Sequence, residues 1–368
     1  MKPPETHTKI NHMRKILLII LLVYSYQVFP CTSFILRDHK SIFLCKNFDY
    51  FTGRGFIFIN QRNDLKIGAC IPPEKPSQWI SKFGSITFNA YGKDLPMSGM
   101  NEMGLIVESL WLDDTEYPMP DDRKALPELG WIQYMLDNCS TVDEVIEANK
   151  QVRIANTSMA KVHFVILDLN GKSAAVEMIN GKTLITTGNS FSPEVIENQT
   201  YSQSLDFMKN NPLGPKCYEH PINDKRERFE MASQMIKDKD LKENPLDYCF
   251  EILKKMTWTF ENGDAPTQWS IVYDLKTKTI HYKTKDNINI KTIKLNDFSF
   301  QCSDDVFTIN MQTDLNELKF NGFHKYNIEE AKVHLRTVYE EVPFTKGKLP
   351  DEMLDGVLNA TSKKPCNK

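Results

Sequence analysis

The sequence predicts an α+β fold in which two antiparallel sheets lie between helical layers. Three observations carry this. Short apolar or alternating runs dominate residues 31–112, and helical periodicity takes over from about 127 to 150. Strand and helix patterns then return in turn up to about residue 295. Strands, helices, strands, helices, strands is the order expected of paired sheets covered on both sides by helices. The chain has 368 residues, 41% of them apolar and 25% charged, which suits a globular protein with a substantial core. A net charge of −3 leaves no electrostatic footprint for nucleic acid.

Residues 1–30 read as a leader that is removed. Met13-Arg14-Lys15 precede an unbroken apolar run over 16–23, and a basic start with a short apolar run describes an export signal. A membrane-spanning helix needs about 20 residues. Export would place the mature protein in the periplasm or outside the cell. Phe29-Pro30 is not the small-residue junction that signal peptidase prefers, so a second trimming or an autolytic step is an alternative, as is a start at Met13.

Residues 31–350 read as a single domain. Thr32 to Leu36, the charged Arg37-Asp38-His39-Lys40 and Ser41 to Leu44 predict a hairpin that brings Lys46, Asn47 and Asp49 back beside Cys31. Further strands are expected at 55–60, 85–89 and 105–110, separated by turn signals such as Pro72-Pro73 and Gly92-Lys93-Asp94. Helices follow at 127–138 and, opened by a capping box of Thr141 with Glu144, at 141–150. Strands at 161–168 and 173–179 are joined by Asn170-Gly171 and followed by 183–187. Helices fit 201–209, 225–239 and 246–257, strands 269–274, 279–283 and 288–295, and a last helix 328–341. Residues 351–368 read as a polar tail that frays.

Eight cysteines are too sparse for a disulfide scaffold and form no C-x-x-C pair. Most read as buried thiols, with room for one or two disulfides in an oxidising compartment. The eight histidines show no metal-ligand spacing, so no metal is expected.

The chemistry concentrates at Cys31. Cleavage at Pro30–Cys31 would leave a thiol and a free α-amine on one carbon. A cysteine thiol is only a few per cent ionised at neutral pH and needs a base, and a terminal amine, with a pKa near about 8, is one within reach. Taken alone, Cys31 also fits a spent junction residue or a lipid-modified cysteine, although Val28-Phe29-Pro30 lack the small residues that lipidation wants.

Six motifs in order carry a family resemblance. They are Cys31-Thr32-Ser33, Lys46-Asn47-Phe48-Asp49, Gly99-Met100-Asn101-Glu102-Met103-Gly104-Leu105, Glu197-Asn198-Gln199-Thr200-Tyr201, Arg228-Phe229 and Thr267-Gln268-Trp269-Ser270. Together the chain resembles the choloylglycine hydrolases, amidases with an N-terminal nucleophile that include bile salt hydrolases and penicillin V acylases. The resemblance implies a four-layer αββα sandwich, a small N-acylated amide as substrate, no cofactor and a homo-oligomer.

It also implies roles. Cys31 is the nucleophile, Asp49 holds its α-amine, Asn198 and the backbone N–H of Trp111 stabilise the oxyanion, and Arg228 is the cation beside the thiol. Each has a plainer reading: a turn aspartate, a turn asparagine, a charged helix face. Lys46 stands where most of the family has arginine, so it keeps a point charge but loses the planar fork, and a solvated strand-end lysine is its alternative. Trp111 beside Tyr50, Phe51 and Trp79 would form an apolar rim for a flat aromatic or aliphatic acyl group. That favours a penicillin V acylase-like or acyl-homoserine-lactone acylase-like activity, with conjugated bile salts as the alternative. A rival of another class is a membrane-tethered, non-catalytic binding protein whose leader is never cut.

Overall fold

The computed structural model describes residues 30–39, 41–70, 72–239, 244–259, 266–348, 350–360 and 366, so all of the expected leader except Pro30 lies outside the described residues. Among the described residues the strands build two large sheets and two small two-stranded ones. The six-stranded sheet runs Val195–Ile196, Thr32–Arg37, Ile42–Asp49, Thr267–Asp274, Thr279–Thr284, Lys291–Lys294 in spatial order. The nine-stranded sheet runs Lys182–Thr187, Ser173–Ile179, Val162–Leu167, Ile106–Trp111, Ser98–Asn101, Ser85–Asn89, Phe56–Asn60, Phe307–Asn310, His324–Lys325. Every pairing within these two sheets is antiparallel, the α+β two-sheet arrangement that the element order predicts.

The period of two along Ile42–Asp49 sorts its side chains between layers. Lys46 faces the other sheet, where it meets Glu108 at 2.9 Å. Asn47 faces the helices, its Nδ2 donating to the carbonyl of Leu253 in helix Pro245–Lys255 at 2.7 Å. Tyr273 and Tyr282 of the same sheet also reach across, Tyr273 donating to Ser98 Oγ at 3.0 Å and Tyr282 packing edge-on against Phe88. Helices Glu227–Asp238 and Pro245–Lys255 cover the outer face of the six-stranded sheet. Helix Glu128–Asn138 covers the outer face of the nine-stranded one, with Trp131 stacked on Phe164 at 4.3 Å.

Most elements fall where the sequence pattern puts them, and the departures have local causes. The strand expected over 288–295 shortens to Lys291–Lys294. At the expected capping box, Thr141 accepts from Glu144 N at 3.2 Å, and the Glu144 carboxylate makes its short bond, 2.6 Å, to Ser140 N. A reciprocal box instead opens helix Tyr201–Asn210, where Thr200 and Gln203 satisfy each other's backbone N–H groups. Ser98–Asn101 is a strand although its Gly99 suggests a loop. A Cβ there would lie 2.7 Å from the Ile86 carbonyl oxygen, so glycine is what lets the two strands approach.

Past Phe300 the described residues add strands and two α-helices. Phe307–Asn310 joins the nine-stranded sheet. Helix Ile328–Glu341 is capped by Asn327, which accepts from Glu329 N and Glu330 N. Helix Asp351–Ala360 occupies the segment expected as a tail and buries Leu354 and Leu358 against Ala331, Leu335 and Tyr339. Cys302 is bonded to Cys366, while Cys31, Cys45, Cys70, Cys139, Cys217 and Cys249 are free thiols. No helix among the described residues is long and apolar enough to cross a membrane.

Leu335 is 1% exposed and also covers Gly92. Leu335→Ala should therefore cost about 2–4 kcal/mol of unfolding free energy, the range for a buried leucine whose site relaxes only in part, as read from the midpoint of urea denaturation.

Candidate active site

The site forms at one end of the six-stranded sheet, where the first strand begins and the second ends. Cys31 precedes Thr32–Arg37 directly, and the register Thr32 to Asn47 sets it beside the end of Ile42–Asp49. Its thiol, 4% exposed, donates to the carbonyl of Asp49 at 3.5 Å. Burial pushes the thiol up to about 11, and the Asp49 carboxylate adds to this, while Lys46 and Arg228 pull it down. A buried neutral thiol needs a base before it can attack.

Asp49 is 1% exposed. Thr267 Oγ1 donates to its Oδ1, but its Oδ2 is buried with no hydrogen-bond partner. Burial raises this carboxyl to about 6, against the pull of Arg228, the Thr267 hydroxyl and Lys46. An orphaned buried carboxylate oxygen costs free energy until a donor reaches it.

Arg228 is fully buried near the start of helix Glu227–Asp238, not on a charged helix face. One guanidinium nitrogen donates to the carbonyls of Pro30 and Cys31 and to Thr32 Oγ1, and the other lies 3.4 Å from Glu197 Oε2. Burial lowers the Arg228 pKa and raises that of Glu197 to about 7, and in each case the partner's charge opposes the shift.

Lys46 is 1% exposed, which excludes the solvated strand-end reading. Its ammonium pairs with Glu108 at 2.9 Å and donates to the carbonyl of Ser109, so it links the two sheets beside the thiol. The Glu108 carboxyl is raised by burial and lowered by Lys46.

Asn198 and Trp111 are brought together. Asn198 Nδ2 donates to the Trp111 carbonyl at 2.7 Å, and its Oδ1 is buried without a partner. One of the two Nδ2 hydrogens is thus engaged and the other is left over. Leu112 N donates to Lys161 O and Val162 N to the Tyr117 hydroxyl, so Trp111 and Val162 are a non-hydrogen-bonded pair. The Trp111 N–H therefore faces the opposite edge, one step past the last rung, Ser109 N to Met97 O.

The aromatic residues divide. Tyr50 packs against Phe48, Phe51 and Tyr91 and hydrogen-bonds the Tyr91 hydroxyl, and Phe51 and Trp111 both pack against Phe344. Trp79 belongs elsewhere: it is 8% exposed, its indole donates to Asp137 at 2.8 Å, and its ring meets Tyr134. Asp137 also pairs with Lys66, so Trp79 closes a buried polar network under Gln78–Ile80 and is not part of the expected rim.

Four contributors went unassigned from sequence. Glu197 and Thr267 lie in motifs quoted above but carry no charge pattern that marks them. Thr32 is an ordinary strand residue, and Glu108 sits in an apolar run where only the partner strand reveals its use. No group of residues suited to a metal occurs among those described.

The family model for linear amide C–N hydrolases of the choloylglycine hydrolase family matches residues 31–216, half of the chain. A penicillin V acylase from Pectobacterium atrosepticum is 29% identical over 212 residues, 53% of this chain and 55% of that protein, so the chain spans little more than half the length of this relative. The fold is that of a penicillin V acylase from Agrobacterium tumefaciens, with TM-score 0.68 and 24% identity over 81% of this chain and 98% of the other. It is also that of a conjugated bile acid hydrolase from Clostridium perfringens, with TM-score 0.62 and 18% identity over 78% and 98%.

Two outcomes follow from the buried charges. Lys46→Ala should destabilise the protein by about 3–5 kcal/mol because Glu108 is left buried and unpaired, whereas Lys46→Met combined with Glu108→Leu should recover most of the loss; urea denaturation of the three variants measures it. A raised carboxyl favours the protonated fold, so the stability that Asp49 contributes is complete below pH 3.8 and is lost as pH rises through about 6. In the uncut chain Asp49→Asn should match wild type near pH 4 and exceed it above pH 6, by denaturation midpoints across that range.

Proposed function

The chain belongs to the choloylglycine hydrolase family of linear amide C–N hydrolases, and on that premise we propose that it is an exported amidohydrolase whose nucleophile is an N-terminal Cys31. The observation that carries the reading is the buried, partnerless Oδ2 of Asp49 beside a buried cysteine thiol. Removal of Pro30 would create an α-amine on Cys31, whose N–H supplies the donor the orphaned oxygen lacks and whose protonated form Asp49 would stabilise. The same cut frees the Arg228 N–H that the Pro30 carbonyl occupies.

The reaction then runs without a cofactor. The α-amine takes the thiol proton, and the Cys31 sulfur attacks the amide carbon. The Trp111 N–H and the second Nδ2 hydrogen of Asn198 hold the oxyanion, a contribution of about 3 kcal/mol per donor in comparable sites. The amine next returns its proton to the leaving nitrogen, giving a thioester. Water activated by the same amine hydrolyses the thioester and releases the acid.

The aromatic walls of Tyr50, Phe51 and Trp111 favour a flat acyl group, as in the penicillin V acylases that the chain resembles, or an acyl-homoserine-lactone-type substrate. Conjugated bile salts are the alternative within the family.

Intact-mass measurement of active protein should give a chain starting at Cys31; an active chain starting at or before Gln27 overturns the reading. Cys31→Ser and Cys31→Ala should each lose at least about 1,000-fold in turnover with the fold intact by circular dichroism. Near-normal hydrolysis by Cys31→Ala would assign the chemistry to another residue.

A further inference from the structure

The rim of the site is completed by a part of the chain that no motif announced. Phe344 follows helix Ile328–Glu341, beyond the residues matched to the family and beyond the last shared motif. Its ring lies 6.1 Å from that of Phe51, edge-on, and 5.4 Å from that of Trp111. These two neighbours lie at strand ends of different sheets, Phe51 just past Ile42–Asp49 and Trp111 at the close of Ile106–Trp111. Phe51 stands two residues past Asp49, whose carbonyl accepts from the Cys31 thiol, and Trp111 is the residue whose carbonyl accepts from Asn198. Phe344 therefore bridges the strand end that carries the nucleophile side and the strand end that carries the oxyanion side.

The segment is fastened for this position. Tyr339 packs edge-on against Tyr91, the residue that hydrogen-bonds the Tyr50 hydroxyl. Glu341 pairs with Arg54 at 2.8 Å, His334 Nε2 meets the Ala90 carbonyl at 2.8 Å, and Thr345 Oγ1 is buried on the carbonyls of Tyr339 and Val342. Phe344 itself is only half-buried. Its ring meets the two rim aromatics and also packs against the edge of the main hydrophobic core.

We propose that Phe344 is a specificity-determining residue, which with Phe51 and Trp111 walls an acyl subsite for a planar aromatic acyl group. The proposal rests on the amidohydrolase reading above. With Phe344 edge-on to Phe51 and tilted at 48° to Trp111, the three rings offer a slot that suits a flat ring and gives a flexible alkyl chain less contact. Replacing Phe344 would open the slot and remove this preference, while the thiol, Asp49, Arg228 and Asn198 stay in place.

The test compares mature wild type, Phe344→Ala and Phe344→Tyr on phenoxyacetyl and octanoyl amides of one leaving amine, and on a phenoxyacetyl amide of a second amine. Phe344→Ala should lower the ratio of kcat/KM for phenoxyacetyl over octanoyl by about tenfold, mostly through KM, and Phe344→Tyr should restore it. The phenoxyacetyl loss should be the same for both amines. An unchanged acyl ratio in an active Phe344→Ala enzyme, or an effect that follows the amine, overturns this inference alone. A wild type that hydrolyses none of the three and whose Cys31 resists iodoacetamide overturns the amidohydrolase reading and this one with it.

Discussion

A fully buried guanidinium fixes where the first strand begins. Arg228 gathers the carbonyls of Pro30 and Cys31 and the hydroxyl of Thr32, and no other described residue holds three consecutive positions of the chain in this way. Burying such a cation is costly unless its donors are spent, and Glu197 together with Asp49 supplies the compensating charge. Cys31 is thereby held at the strand's very start, where its thiol donates to the backbone carbonyl of Asp49. The charge that anchors the strand also pulls the thiol down, though less than Lys46 does and against the larger push of burial and Asp49.

Lys46 does for the interior what Arg228 does for the helical side. Its pairing with Glu108 crosses between the sheets and ties the nucleophile's strand to the strand ending at Trp111. A lysine suits this place because a single-point ammonium can satisfy Glu108 and the Ser109 carbonyl together. An arginine fork there would have to find partners for five donors. The departure from the family's usual residue is thus matched by an acidic partner across the interface.

Strand and helix periodicity made the hairpin of Cys31 to Asp49, the two-sheet order and the helix Ile328–Glu341 legible before any coordinates. What the sequence hid has a common cause. The three-residue strands Leu65–Ile67 and Gln78–Ile80 are too short to show a period, and Ser98–Asn101 carries a glycine whose purpose lies in its neighbour. At the site, Cys31, Asp49, Asn198 and Arg228 could be named through motifs, but Glu108 could not, because an acid inside an apolar run acquires meaning only from the strand opposite. Trp79 went the other way. Its size suggested a rim, yet its indole N–H needed a buried acceptor and found Asp137.

The Cys302–Cys366 bond joins positions 64 residues apart. Between them lie the strand Phe307–Asn310, the two C-terminal helices and Phe344, so the whole clasp over the site is one closed ring of chain. In the chain-entropy account, a ring of that size disfavours the unfolded state by about 4 kcal/mol. The segment that carries Phe344 is therefore held to the domain at both of its ends, by the chain at residue 302 and by the bond at Cys366. In an oxidising compartment that tether would persist, whereas reduction would leave the segment joined to the domain through the chain at residue 302 alone.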